Sequence, residues 1–313
     1  MRKKISIILS FYNEEKNIKN SLEKLVNELQ QIKDIDYEII CVNDCSTDNS
    51  LNLLIQENIK NNRIKIINLS RRFGHMPGIM AGLRQCTGDA AIYLDIDLQD
   101  PPDKIKEMVH YWINEGYDVV YTTRTSREDS FFMRIISSIG YKILKKTTYI
   151  GMSINSGDFR LISRRVINEY KKFNELDPFF RFIVDYIGFK KKQIFYDRKS
   201  RNIGKSNFSL LKIFIQFFEI SLAPFSNFPI RFAMFFGFFS FLICTFILLR
   251  TGYLYLTGVV EISTISIFGA ILFFGSFQSL VIGLLAIYIG LIFKETKKRP
   301  LYIVDSTVGF EKD

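Results

Sequence analysis

The chain has 313 residues, room for one large domain with an appendage or for two modest ones, and carries 42 Lys and Arg against 32 Asp and Glu. The resulting charge of +10 could signal nucleic acid, but the basic residues are spread through helices or gathered beside an apolar region, and no nucleic-acid module signature is present. Anionic lipid headgroups and phosphorylated substrates are therefore the expected partners. Cys41, Cys45, Cys86 and Cys244 show no CxxC spacing, which indicates neither a zinc site nor a disulfide framework and leaves reduced thiols.

The opening MRKKISIILSFY has the basic head and apolar run of a signal peptide. Its apolar part is too short, and it leads straight into Asn13, Glu14 and Glu15 without a small-residue cleavage site. It reads as a first strand over 5–10. Further apolar, β-branched runs bounded by turns predict strands at 37–43, 64–69, 90–96 and 117–123. Helices are predicted at 14–31, 47–59, 78–86 and 102–115, with apolar residues at helical spacing such as Ile18, Leu22, Leu25 and Leu29. This alternation predicts an α/β domain with a mostly parallel sheet covered on both faces.

Ligands of such sheets bind beyond the carboxyl ends of the strands, and polar clusters fall there. Tyr12-Asn13-Glu14 follows the first strand, Asn43-Asp44 the second, Arg71-Arg72-Phe73-Gly74 the third and Asp95 to Asp100 the fourth. No GxGxxG follows the first strand and there is no Walker A lysine loop, so neither dinucleotide binding nor ATP hydrolysis is favoured.

In DIDLQDPPD, Asp95 and Asp97 flank Ile96 at a strand end and should share a face. With the amide oxygen of Gln99 they form hard ligands for Mg²⁺ or Mn²⁺, whose other positions go to water and a substrate diphosphate. Pro101 and Pro102 end the extended segment and can start the next helix. His110 reads as a surface or packing residue of the 102–115 helix, whereas His75, after Gly74, is a candidate ligand contact of the third cluster.

Past about residue 190, 197–205 is a basic loop. The 206–225 segment is a helix with one thin polar stripe (Lys212, Gln216, Glu219), read as lying in a membrane interface; a core helix is the alternative. Phe232 to Leu249 is free of charge and spans about 27 Å as a helix. Ile265 to Phe293 is longer and equally uncharged, and a buried core pair is the alternative for both. Arg231 precedes the first span, and Lys294, Lys297, Lys298 and Arg299 follow the second. The connecting segment carries only Glu261, with Arg250 at its edge, so both outer ends are expected in the cytosol. The expected domains are a cytosolic α/β domain over 1–205, an interfacial helix and linker over 206–229, two membrane helices within 230–293 (about 231–250 and 264–293) and a cytosolic basic tail over 294–313.

SFYNEEKNI, VNDCSTDNS, LSRRFGHMPGIMAGL and LDIDLQDPPD together resemble the successive motifs of the family 2 glycosyltransferases, in particular the membrane-bound polyprenyl-phosphate glycosyltransferases. INSGDFRLISRRV, RNIGKSNFSLLK and IYIGLIFKETKKRPLYIV resemble that group's acceptor-side motifs and its last span and tail. The resemblance implies a GT-A fold, a nucleoside diphosphate sugar donor, a polyprenyl phosphate acceptor and an enzyme of the cell inner (cytoplasmic) membrane. It also suggests a homotetramer, which one sequence leaves open.

By resemblance the donor contacts are Ser10, Tyr12, Glu14, Asp44, Arg71 and Asp95. The metal ligands are Asp95, Asp97 and Gln99, and the acceptor phosphate is met by Arg124, Arg127, Arg134, Arg201 and Lys205. Asp97, Arg124 and Asp158 are the catalytic candidates, Asp158 mainly to orient the acceptor or the sugar. Three departures stand out: Ser10 where the family often has Pro, Cys45 where it usually has Gly, and Ala286-Ile287 where Gly-Glu is usual before Tyr288. Glucose from UDP-glucose is the expected donor sugar, with GDP-mannose, UDP-N-acetylglucosamine and a formamido-arabinose nucleotide left open. A processive polysaccharide synthase would carry Gln-x-x-Arg-Trp, whereas the only tryptophan, Trp112, follows Tyr111. A non-catalytic membrane scaffold is the remaining alternative, disfavoured by the presence of Asp97 and Gln99.

Overall fold

The computed structural model describes residues 2–97, 99–124, 156–173, 180–196, 228–258 and 264–310. In chain order its elements are β1 (Lys3–Phe11), α1 (Glu15–Gln30), β2 (Ile35–Asn43), α2 (Ser50–Lys60), β3 (Ile64–Leu69), α3 (His75–Gln85), β4 (Ala90–Tyr93), α4 (Lys104–Asn114) and β5 (Val119–Arg124). Then follow β6 (Ser156–Ser163), α5 (Arg164–Tyr170), α6 (Phe180–Ile187), β7 (Lys191–Tyr196), α7 (Phe228–Leu256), α8 (Thr264–Thr296) and β8 (Val304–Val308).

The eight strands form one sheet in the order β7-β5-β6-β4-β1-β2-β3-β8. β3, β2, β1 and β4 run parallel, β6 is antiparallel to both β4 and β5, and β8 is antiparallel to β3. This is the GT-A-like architecture, with a parallel half that gathers the ends of β1, β2, β3 and β4 at one edge.

Alternation along the strands produces two cores, one on each face. Ile5, Ile7 and Leu9 of β1 pack with Ile18, Leu22, Leu25 and Leu29 of α1, Leu54 of α2 and Met108 of α4. Burying each such side chain is worth about 1.5–3 kcal/mol relative to leaving it in water. Ile8, Ile40, Ile67 and Tyr93 face the other way, onto Ile79 and Leu83 of α3, Ile167 of α5 and Phe180 of α6. Helix α3 lies so close to β1 that a Cβ at Gly82 would come 2.5 Å from Ile8, and one at Gly78 would come 2.0 Å from Ser10 Oγ.

The strand predicted over 90–96 ends at Tyr93. Leu94 and Ile96 still turn into the first core, and the Ile96 carbonyl accepts from Ser21 Oγ of α1 at 2.5 Å. That bond draws the backbone away from the ladder, so Asp97 lies in a turn rather than on a strand. The C-terminal tail departs further from expectation. Residues read from sequence as a basic tail supply β8, with Ile66 opposite Val308 and Asn68 opposite Ser306.

Contacts divide the chain into two compact units, with Arg299–Asp313 belonging to the sheet unit. The other contains α7 and α8, in which Ala233–Leu256 and Phe273–Thr296, 24 residues each, are candidate membrane spans. Each would extend about 36 Å. Phe235, Phe239 and Phe246 are all more than half exposed, and helices apolar all round need a hydrocarbon or protein environment.

Candidate active site

The loop after β2 is a hub of hydrogen bonds. Asp44 N–H donates to Phe11 O at 3.0 Å, which carries the β1–β2 pairing one step past the strand. Asn13, in left-handed backbone at φ 56°, donates from its N–H to Ser46 Oγ (3.0 Å) and from Nδ2 to Thr47 Oγ1 (3.1 Å). Its Oδ1 accepts from the Thr47 N–H at 2.8 Å. Asp48 accepts from the N–H groups of Glu15 (3.2 Å) and Ser50 (3.1 Å). Burial pushes the Asp48 carboxyl up, but hydrogen bonds from Ser50 and Glu15 outweigh it and hold the group below its ordinary value. The first and second clusters are thus one structure. Cys45 takes the left-handed turn at φ 57°, as its replacement of the usual glycine required.

Asp44 ties on the third cluster. It is only 3% exposed, and its two oxygens accept from the N–H groups of Phe73 (2.7 Å) and Gly74 (2.8 Å). Gly74 sits at φ 102°, where a Cβ would be strained. The exposed guanidinium of Arg71 lies 4.2 Å over the Phe73 ring, and that of Arg72 lies 4.1 Å over the Tyr12 ring. Two cations with rigid aromatic supports form a rim suited to phosphate and to a flat base.

Tyr93 links the fourth cluster to the third. It is 2% exposed, and its hydroxyl donates to Asp95 Oδ1 at 2.8 Å while lying 2.9 Å from His75 Nε2. Burial pushes the Tyr93 phenol well up, and the charge of Asp95, then those of Asp158 and Asp100, push it further. The hydroxyl keeps its proton and acts as a fixed donor.

Asp95, Asp97 and Gln99 are all half-buried, and Asp97 Oδ1 accepts from the Gln99 N–H at 3.2 Å, which closes the turn. Among the described residues no three His, Cys, Asp or Glu side chains converge on a ready-made metal cage. Two carboxylates and an amide oxygen on one partly open turn nevertheless fit Mg²⁺ or Mn²⁺, which keep several positions for water and phosphate oxygens.

Residues 6–171 match the family described as "Glycosyl transferase family 2". The chain belongs to that family. It is 36% identical to an uncharacterized glycosyltransferase, YkcC, of Bacillus subtilis (strain 168), over 98% of this chain and 94% of that one. It is 33% identical to the bactoprenol glucosyl transferase of Shigella phage SfX, over 97% of this chain and 99% of that one. A more distant likeness, at 17% identity and a TM-score of 0.47, is to S. aureus TarS 1-349 in complex with UDP-GlcNAc, covering 69% of this chain and 64% of that one.

In this glycosyltransferase Tyr12, Glu14, Asp44, Arg71 and Asp95 are drawn together through the loop after β2 and through Tyr93. Glu14 Oε2 accepts from Asn17 Nδ2 at 2.6 Å. Ser10 is 5% exposed and lies beneath Gly78 of α3, so it packs under the third cluster. Asp158 is half-buried on β6, two residues from the fully buried Arg160. Arg124 ends β5 opposite Tyr196. The side chain of Arg124 lies outside the described residues, as do Arg127, Arg134, Arg198, Arg201, Lys205 and the helix expected over 206–225.

Sequence reasoning missed Tyr93 and Arg160, and placed Arg72 and Asp100 in their clusters without giving either a role. Arg72 and Tyr93 join clusters that seemed separate. Arg160 donates from Nη2 to Gly157 O at 2.9 Å with its guanidinium 5.5 Å from the Phe180 ring, and buried Asp100 accepts from Tyr196 Oη. Tyr93 stands two residues before Asp95 within the strand expected over 90–96, and that spacing was the signal available for it. His110, exposed on α4, hydrogen-bonds to the local Asn114 amide at 2.8 Å and lies edge-on to the Tyr111 ring.

Proposed function

We propose that this glycosyltransferase moves a sugar from a nucleoside diphosphate donor to polyprenyl phosphate at the cytosolic face of the cell membrane, most simply glucose from UDP-glucose to undecaprenyl phosphate. The observation that carries the reading is the joining of all four polar clusters into one site, in a chain 33% identical to a bactoprenol glucosyl transferase across nearly its full length.

Asp44, Tyr12, Glu14 and Arg71 take the roles of donor contacts, and Asp95, Asp97 and Gln99 would hold Mg²⁺ or Mn²⁺. When bound, that ion supplies positive charge against the departing nucleoside diphosphate. The acceptor phosphate, with a second pKa near about 6, is largely dianionic at neutral pH. Its oxygen attacks the anomeric carbon, the bond to the diphosphate oxygen breaks in line, and the anomeric configuration inverts. The attacking oxygen carries no proton to remove, so Asp158 serves to orient rather than to deprotonate. Arg124, Arg127, Arg134, Arg201 and Lys205 are assigned to the acceptor phosphate, since guanidinium forks and an ammonium charge both suit phosphate oxygens.

The topology supports a hairpin of two spans. β8 follows α8 in sequence and pairs with β3, which supports an even number of crossings between the sheet strands that precede and follow the two helices. The basic residues flanking the helices favour the cytosolic side. Assembly as a homotetramer remains part of the reading through family resemblance alone.

The test is transfer of radiolabelled sugar from a panel of UDP- and GDP-sugars to undecaprenyl phosphate in membranes, with EDTA and Asp97→Ala as controls. One donor giving lipid-extractable label that depends on divalent metal and on Asp97 is the expected result. Folded, membrane-bound protein that labels no lipid with any donor would overturn the acceptor assignment.

A further inference from the structure

The C-terminal strand does more than cover the sheet edge. Between β3 and β8 the register slips at Asn68/Leu69: Asn68 faces Ser306 and Leu69 faces Val304, which leaves Asp305 as the extra residue of a β-bulge. A bulge re-aims the side chain it carries. Here Asp305 Oδ2 accepts from Asn68 Nδ2 at 3.1 Å. Asn68 Oδ1 then accepts from Asn43 Nδ2 at 2.8 Å, and Asn43 Oδ1 accepts from the Ser46 N–H at 3.2 Å. Ser46 is the residue whose Oγ receives the Asn13 N–H.

The direction of this chain is fixed at both ends, by the Ser46 N–H, which can only donate, and by the Asp305 carboxylate. An ionised carboxylate only accepts, so Asp305 obliges Asn68 to present its NH₂ outward and its oxygen inward. That in turn turns the NH₂ of Asn43 toward Asn68 and the Asn43 oxygen toward the loop. Asn43 is 1% exposed, so an amide turned the wrong way there would leave buried polar atoms mismatched, whereas the exposed Asp305 carries little of the fold by itself.

We infer that Asp305, acting through Asn68 and Asn43, is a positioning residue for the donor-binding loop after β2, so that the segment following the second apolar helix tunes nucleotide affinity. The inference rests on the reading of that loop as the nucleotide site.

The experiment uses the full chain in nanodiscs and titrates UDP and GDP, each with Mn²⁺, against wild type, Asp305→Ala and Asp305→Asn. Melting temperature and hydrogen exchange over 43–50 are followed in parallel. Asp305→Ala should weaken nucleotide binding roughly three- to tenfold and speed exchange over 43–50 at an unchanged melting temperature. In transfer assays the donor KM should rise by the same factor with kcat held. Asp305→Asn, which keeps an accepting oxygen, should restore both readouts. Wild-type affinity and exchange in Asp305→Ala would overturn the relay, and so would equal losses in both variants with a lowered melting temperature. A wild type that binds neither nucleotide overturns the donor-site reading and the relay with it, so the two failures are told apart.

Discussion

The Tyr93 hydroxyl lies 2.8 Å from Asp95 Oδ1 and 2.9 Å from His75 Nε2, so one buried phenol spans the third and fourth polar clusters. Tyr93→Phe keeps the ring in the core and removes only the donor. The Mn²⁺ concentration for half-maximal transfer should rise roughly tenfold, as expected when an outer partner of a metal ligand is lost, with little change in melting temperature. A metal titration of label transfer checks this, and an unshifted midpoint removes Tyr93 from any part in orienting Asp95.

Cys45 occupies a backbone conformation that disfavours a Cβ by about 1–2 kcal/mol. Glycine relieves that strain at some entropic cost in the unfolded chain, so Cys45→Gly should stabilise the protein by about 1 kcal/mol. Differential scanning of the full chain should show a rise of about 2–4 °C. Cys45→Val, β-branched in the same turn, should move the transition downward.

The close approach of α3 to β1 leaves no room for a methyl group at position 82, where a Cβ would meet Ile8 at 2.5 Å. Gly82→Ala should cost about 1–3 kcal/mol as Ile8 or the helix shifts. Since α3 begins at His75, just past the backbone that holds Asp44, the same variant should also weaken nucleotide binding. A fully stable Gly82→Ala protein would show that the helix slides without penalty.

Glu38 is 1% exposed and accepts from Ser6 Oγ (2.6 Å), the Thr87 N–H (2.7 Å), Lys65 Nζ (2.9 Å) and Lys4 Nζ (3.1 Å). Burial pushes its carboxyl up, but these donors together pull it from 4.5 down to about 2. The folded value lies below the unfolded one, so the carboxylate stabilises the fold above pH 4.5 and that contribution is lost as pH falls toward 2. The difference is worth about 3 kcal/mol at neutral pH. Melting curves between pH 3 and pH 7 should therefore converge for wild type and Glu38→Gln at the acid end and diverge at the neutral end. Parallel curves would show that Glu38 does not govern this dependence.

The parallel half of the sheet was legible because Ile18, Leu22, Leu25 and Leu29 announce a helix by spacing and because β1 to β4 are apolar runs closed by polar clusters. The residue types of the candidate site were legible for the same reason, since ligands of such a sheet bind past the strand ends. Their connections were not. The bonds from the Phe73 and Gly74 N–H groups to Asp44 depend on the backbone path of a loop, and the link through Tyr93 depends on where β4 leaves the ladder. β8 was hidden for a different reason, since VDSTV has no apolar alternation: four of its five residues are exposed, and only pairing with β3 defines it.

Asp305 and Asn68 lie 237 positions apart in sequence. During synthesis the outer edge of β3 therefore stays uncapped until both apolar helices have left the ribosome, and an open edge invites pairing with another chain. Completion of the sheet unit is coupled to delivery of the two apolar helices. A truncated version ending before Val304 would keep that edge bare for its whole lifetime.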